Sequence, residues 1–567
     1  IIDIRNFLKT NDLVRPKAKN LKEMKIYKNI FALLLALTVA NISLAQEDLP
    51  TESVDVIKSF DATLLNTEKV PLDPKLPPLD TSVRRQNYDN IISRSLDVDY
   101  LPPKIRPLAM RSEALQKAYK GYLQLGGGYP SSLYADGGYN VVANDKVDFG
   151  VNLKHHSANN NSSLENQRFS FSKIGIDGTV FMDEGYAIDG KIGYSRNNVF
   201  FYSYNDFNSA DSTLSFASDD VRQQFNTFDL SASIFNGERT EADFNYYAGF
   251  DFYRLEDDYA ARETGFKLKL NATKWFNEAH PLSITLITDF TRYSDTARQT
   301  LNNFYLQPSY TFHGDVFAAR AGVNVVSHED EFSFFPDVEL SAKIVEGTLM
   351  AFIGATGTLK KNNFKSLSDY SPYVSSRIKI ENTSYYHYYG GIKGNVQGMD
   401  YRIQANYKNA EDLALFRSNG DTLTRFNVVY DTATIITVQG TLAAPLFKGF
   451  EVTGTVASHI YSLEREAEAW HLPALSLNVG ARYVMLENQL ALKSELFIEN
   501  GVPYLNDEGK ADNLNVLYDI SVGAEYFFNE NLGGFIQINN LANNKRQRWV
   551  HYPTFGLNAL LGISARF

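Results

Sequence analysis

The chain has 567 residues, 44% apolar and 21% charged, with a formal net charge of −11. That acidity argues against nucleic acid as a partner, since nucleic-acid binding needs a basic footprint. The absence of cysteine excludes disulfide scaffolds and thiolate metal centres.

Residues 1–23 are polar and basic and read as an upstream extension. Residues 24–45 read as a secretory signal peptide. Met24, Lys25 and Lys28 give a positive start, Ile30 to Ala40 is apolar, and Ser43 and Ala45 are small residues before Gln46. Cleavage is expected after Ala45, and a membrane anchor is not, because the apolar run is shorter than the ~20 residues of a spanning helix. Residues 46–119 carry prolines 50, 71, 74, 77, 78, 102, 103 and 107. "PLDPKLPPLD" and "YLPPKIRP" read as extended or polyproline segments, and no strand–helix pattern of a small plug domain is visible. The same segment holds "ESVDVIKSF", in which Glu52, Ser53, Val54, Asp55, Val56 and Ile57 form a short alternating strip.

From Lys120 to the last residue the hydrophobic period is two. Phe266, Leu268 and Leu270 alternate with Lys267, Lys269 and Asn271; Tyr401, Ile403 and Ala405 alternate with Arg402, Gln404 and Asn406. Strict alternation means strands with one dry and one polar face. The segments run to roughly 10–14 residues, enough for a tilted strand to span a bilayer. Charges sit deep within their polar face, as a wet lumen allows. Lys267, Lys269, Arg402 and Gln404 are therefore lumen-facing candidates. Aromatics at segment ends, "KWF" (274–276) and "EYFF" (525–528), suggest interfacial girdles.

Short and long connections alternate. The short ones, rich in Gly, Asn and Asp as tight hairpins require, lie at 144–146, 183–185, 236–240, 277–280, 313–315, 346–347, 398–400, 448–449, 486–488 and 529–531. Longer polar loops are expected at 203–222, 360–380, 409–433 and 499–514. Ten hairpins plus a strand at each end give about 22 strands, with both ends on the short-turn side. The parity depends on reading 424–446 as one long strand. The expected fold is all-β: a transmembrane antiparallel barrel over 120–567, with short periplasmic turns and longer extracellular loops.

The last strand places Leu557, Ala559, Leu561, Ile563, Ala565 and Phe567 on one apolar row. A terminal aromatic there resembles the assembly signal of bacterial outer-membrane proteins. The stretch 536–567, with Asn540-Leu541, Trp549, Tyr552, Pro553, Gly556 and Phe567, resembles the last hairpin of TonB-dependent receptors. Residues 46–567 as a whole look like the shortened TonB-receptor-like barrels of Bacteroidota. The resemblance implies a Gram-negative outer-membrane location and contact with membrane lipid. It also implies an unidentified solute and a TonB-type energy coupler at Glu52–Ile57. A structural subunit of an outer-membrane assembly or secretion complex, docking other subunits, and a passive porin are the alternatives. With no plug apparent, the lumen must be filled by residues 46–119, by long loops or by a partner.

No catalytic motif, cofactor signature or metal-ligand spacing is recognisable. His155 and His156 are adjacent and should point to opposite faces. The acidic loop 205–220, with Asp206, Asp211, Asp219 and Asp220, matches no calcium-loop template. An enzyme is not expected.

Overall fold

The computed structural model describes residues 119–567, apart from residues 145, 207–213, 238, 329–330 and 422. The upstream extension, the signal peptide, the Pro-rich segment and the Glu52–Ile57 strip lie outside the described residues.

Among the described residues, 22 strands form one antiparallel sheet in which each strand pairs with its sequence neighbour. The first strand, Gly121–Tyr129, pairs with the last, Asn558–Arg566, from Tyr122↔Arg566 to Tyr129↔Ala559, so the sheet closes into a barrel. At this seam the strands approach too closely for side chains at two glycines. A Cβ on Gly128 would lie 1.8 Å from the Ala559 carbonyl oxygen, and one on Gly562 would lie 2.2 Å from that of Leu125. Phe567 completes the seam. Its N–H donates to the Gly121 carbonyl, and its ring stacks on Tyr139 at 5.7 Å.

The period-two pattern fixes which face is which. Ile174, Ile192, Ile353, Ile403 and Ile460 are exposed on the outer wall, as side chains are where lipid replaces water. Polar neighbours on the same strands face inward. Aromatics gather at the short-turn end: Phe447, Phe450 and Tyr483 cluster there, and Phe276 and Phe528 are exposed. Trp275 departs from the expected girdle. It lies on the inward face of Arg262–Phe276, donates to Asn245 at 2.8 Å and carries the Arg239 guanidinium 3.9 Å above its ring.

All ten expected short turns connect barrel strands, and 424–446 lies almost entirely within one 22-residue strand, Phe426–Phe447. The expected loop at 409–433 is wrong. Met399–Ser418 and Phe426–Phe447 pair up to Ser418↔Phe426, leaving only 419–425 as loop. Residues 409–418 continue the strand past a register shift between Ala410 and Leu413, and Ala410, Leu415 and Phe416 are buried there.

Candidate functional site: a loop-built closure of the barrel mouth

The principal apolar core lies at the end of the barrel where the long loops are. Residues 201–206 and 214–221 and the loops 363–380, 501–516 and 540–557 converge there with the ends of the neighbouring strands. Phe201, Val221, Tyr293, Phe364, Val374 and Phe426 are fully buried. Each large apolar side chain removed from water contributes about 1.5–3 kcal/mol, so ordering these loops has a clear driving force.

The strand Leu349–Asn362 begins this closure. It pairs with Glu331–Val345 only as far as Thr356↔Asp337. Beyond that point, side chains on its lipid-facing register meet the inner wall instead. Leu359 packs on Tyr305, Val326 and Phe335. Lys361 reaches Asp289 at 2.6 Å and Thr291 at 2.9 Å. Asn382, on the next strand, exchanges hydrogen bonds with Asn303 at 2.9 and 3.1 Å. The upper part of this hairpin therefore folds inward across the mouth.

At its tip sits the helix Phe364–Tyr370, capped by Asn363. Its N-terminus is tied to the wall by Glu263, which is fully buried. One Glu263 oxygen accepts from the Phe364 N–H at 2.6 Å. The other accepts from the Lys365 N–H at 3.1 Å, Asn363 Nδ2 at 2.7 Å and the Tyr253 hydroxyl at 2.8 Å. A carboxylate at unsatisfied helix N–H groups is well placed electrostatically. Asp257 likewise accepts from Ser376 and from Gln223 at 3.0 Å.

The other loops lock onto this hairpin. The Tyr552 ring stacks on Tyr373 at 3.7 Å, and its hydroxyl donates to the Thr424 carbonyl at 2.5 Å. The Thr424 N–H donates to Ser203 at 2.7 Å, linking opposite walls. Trp549 packs against Tyr370, Phe416, Phe426 and His471. Asp431, fully buried, accepts from the N–H groups of Arg465 and Glu466 and so fixes loop 464–474. Burial lowers His471 to a pKa of about 3. Burial also raises Tyr373 and Tyr552 well above the usual tyrosine range.

The lumen-facing candidates separate into two places. Lys267 is ion-paired with Asp251 at 2.7 Å, and Lys269 lies 5.6 Å over the Tyr247 ring. On a distant strand Arg402 donates to Gln404 at 2.7 Å, and Gln404 donates to Asn406 at 2.8 Å. The histidine pair splits between the faces. His156 packs against Tyr134 and Phe169 inside, while His155 bonds Ser172 at 2.8 Å and Ser157 at 3.2 Å. Among the described residues no three His, Asp or Glu side chains converge on a metal-sized site.

The closure was not anticipated residue by residue. A signal was present: nominal loops read "VFFYSY" (199–204), "DYSPYVSSRIKI" (369–380) and "RWVHYP" (548–553). These are too aromatic for solvated loops.

No family model matches the chain, and no curated protein matches it. Solved structures do resemble it in fold. The siderophore receptor PirA from Acinetobacter baumannii aligns with a TM-score of 0.61 at 10% identity, covering 80% of this chain and 81% of that one. The pyoverdine outer membrane receptor FpvA from Pseudomonas aeruginosa PAO1 aligns at 0.59 and 10% identity, covering 80% and 79%. A mutant of the ferric enterobactin receptor PfeA from Pseudomonas aeruginosa gives 0.57 and 12%, covering 80% and 81%.

Proposed function

We propose that the chain is an outer-membrane receptor of transport type, whose loop closure opens to admit a solute to the lumen. The observation that carries this reading is the closure itself: a dry, tied core across one mouth of a 22-stranded barrel. A permanently open porin has no use for such a core. The fold likeness to outer-membrane and siderophore receptors supports a receptor role. Short turns face the periplasm in this reading, the closing loops face outward, and Phe567 serves as the assembly signal. A TonB-type coupler grips the Glu52–Ile57 strip by strand addition.

Two measurements test it. In planar bilayers the wild type is expected to show no steady large conductance; a wide, constant pore overturns the reading. Deleting residues 46–60 is expected to abolish energy-dependent uptake while leaving the barrel folded. Unchanged uptake removes the coupler from the account.

A further inference from the structure

The inner wall near the short-turn end carries a cluster of cations. Lys343, Met350, Lys393, Arg402, Thr441 and Thr455 are successive cross-strand partners, forming one rung across six adjacent strands. Neighbouring strands lie about 4.7–4.9 Å apart, so the rung sets three cations within a short arc. Lys393 and Arg402 stand directly opposite each other, a placement that destabilises a sheet. Both lean on the Phe352 ring, at 5.5 and 4.6 Å.

Several inner-wall cations elsewhere are ion-paired. Lys154 meets Asp136, Lys191 meets Asp189, Lys267 meets Asp251 and Arg320 meets Asp337. Among the described residues, no acidic side chain pairs with Lys343, Lys393 or Arg402. The rung lines a recess of about 700 Å³. Asp400 is the one carboxylate lining it, and it is held by Asn395 at 2.8 Å. Gln404 accepts from Arg402 Nε at 2.7 Å, which leaves the outer guanidinium nitrogens free to face the recess.

We propose that this rung is a binding site for an oxyanion-bearing solute, a carboxylate or phosphate group held by Lys343, Lys393 and Arg402. The threonine hydroxyls of Thr441 and Thr455 supply further hydrogen bonds. Arg402 offers the planar fork that suits either anion, and Lys393 offers a compact charge beside it. The solute satisfies adjacent cations that no acidic side chain pairs with among the described residues. This assignment rests on the receptor reading, since it names the chemistry of what the barrel admits.

The test is calorimetric titration of the purified full chain in nonionic detergent at low salt. The probes are citrate, inorganic phosphate and uncharged maltotriose. Saturable, salt-sensitive binding of citrate or phosphate but not maltotriose is expected, and the anion that binds identifies the group. Arg402→Gln and Lys393→Gln are expected to weaken it at least tenfold. Arg402→Lys should restore part of it, and Lys267→Gln should leave it unchanged. Relief of like-charge repulsion should also leave the unfolding temperature of Lys393→Gln equal to or above that of the wild type. Failure of the wild type to bind either anion, or equal binding by Arg402→Gln, overturns the site. Neither outcome touches the closed mouth, which conductance tests separately.

Discussion

His471 stacks on Trp549 with ring centroids 5.0 Å apart and planes 17° apart, and the contact joins two loops that arise from different parts of the barrel wall. His471 Nδ1 bonds the Phe416 carbonyl at 2.7 Å, and Nε2 faces the Val550 N–H at 3.4 Å. Both ring nitrogens are thus used by the backbone in the neutral form. The closure is built from such aromatic and backbone contacts, whereas the wall below it is built from a strand ladder. The two should respond differently to substitution.

Trp549→Ala removes the ring shared by Tyr370, Phe416, Phe426 and His471. Truncating a buried Trp costs about 3–5 kcal/mol, and here that cost falls on the closure. Hydrogen exchange in 364–380, 464–474 and 540–557 should accelerate strongly. Exchange in mid-wall strands such as Phe266–Leu270 should not change. Uniform acceleration through the wall would mean that closure and barrel are one cooperative unit.

Acid should loosen the same region. The pKa of His471 is lowered to about 3, mainly by burial, with the nearby Arg548 and His551 adding repulsion. Its ordinary value is about 6.5, so the open state takes up a proton before the closed one does. The stabilisation is complete above about pH 6.5 and is lost as pH falls from there toward 3, at about 1.4 kcal/mol per pH unit. Loop exchange at pH 5 should exceed that at pH 7 after correction for intrinsic rates. His471→Gln should remove most of the difference. Arg548 pairs with Glu499 at 2.5 Å and donates to the His471 carbonyl.

Glu263→Ala unties the inward-folded hairpin. It leaves the N–H groups of Phe364 and Lys365 without their acceptor, at about 1–3 kcal/mol each. Protease cleavage within 363–380 of the intact protein should increase, while the strand ladder persists in circular dichroism. Unchanged cleavage would show that the apolar core holds the helix without Glu263.

Much of the wall was readable from the sequence because a barrel strand writes its two faces in alternate residues. Short Gly/Asn/Asp turns punctuate it, and the single strand Phe426–Phe447 preserves the even count. What failed was local. Trp275 sits among end-of-strand aromatics yet turns inward to Arg239 and Asn245. Residues 409–418 look like loop because their strand shifts register between Ala410 and Leu413. The closure was hidden for a different reason. Tyr373 and Tyr552 are separated by most of the last third of the chain, and nothing periodic links them. Their loops were conspicuous only in being too aromatic for solvent. The cationic rung was half visible: alternation put Arg402 on the inner face, but register alone places Lys393 and Lys343 beside it.

Gly128→Val should prevent the barrel from closing. The new Cβ would fall 1.8 Å from the Ala559 carbonyl oxygen, and backbone atoms within a ladder cannot move aside as a flexible side chain can. The variant should lack the compact, heat-modifiable band of a folded barrel in unheated detergent gels. Gly190→Ala, where a Cβ meets nothing within 4 Å, serves as the tolerated control.

The central claim is that the chain's own loops close the outward mouth. The absence of cysteine allows a direct measurement. Thr455→Cys places one thiol on the inner wall, in the recess, for labelling from outside intact cells with a bulky impermeant maleimide. With the closure intact, labelling should be negligible. Adding Trp549→Ala and Tyr552→Ala should make it rapid, with denatured protein labelling fully in both. Equal, rapid labelling of Thr455→Cys alone would contradict the account.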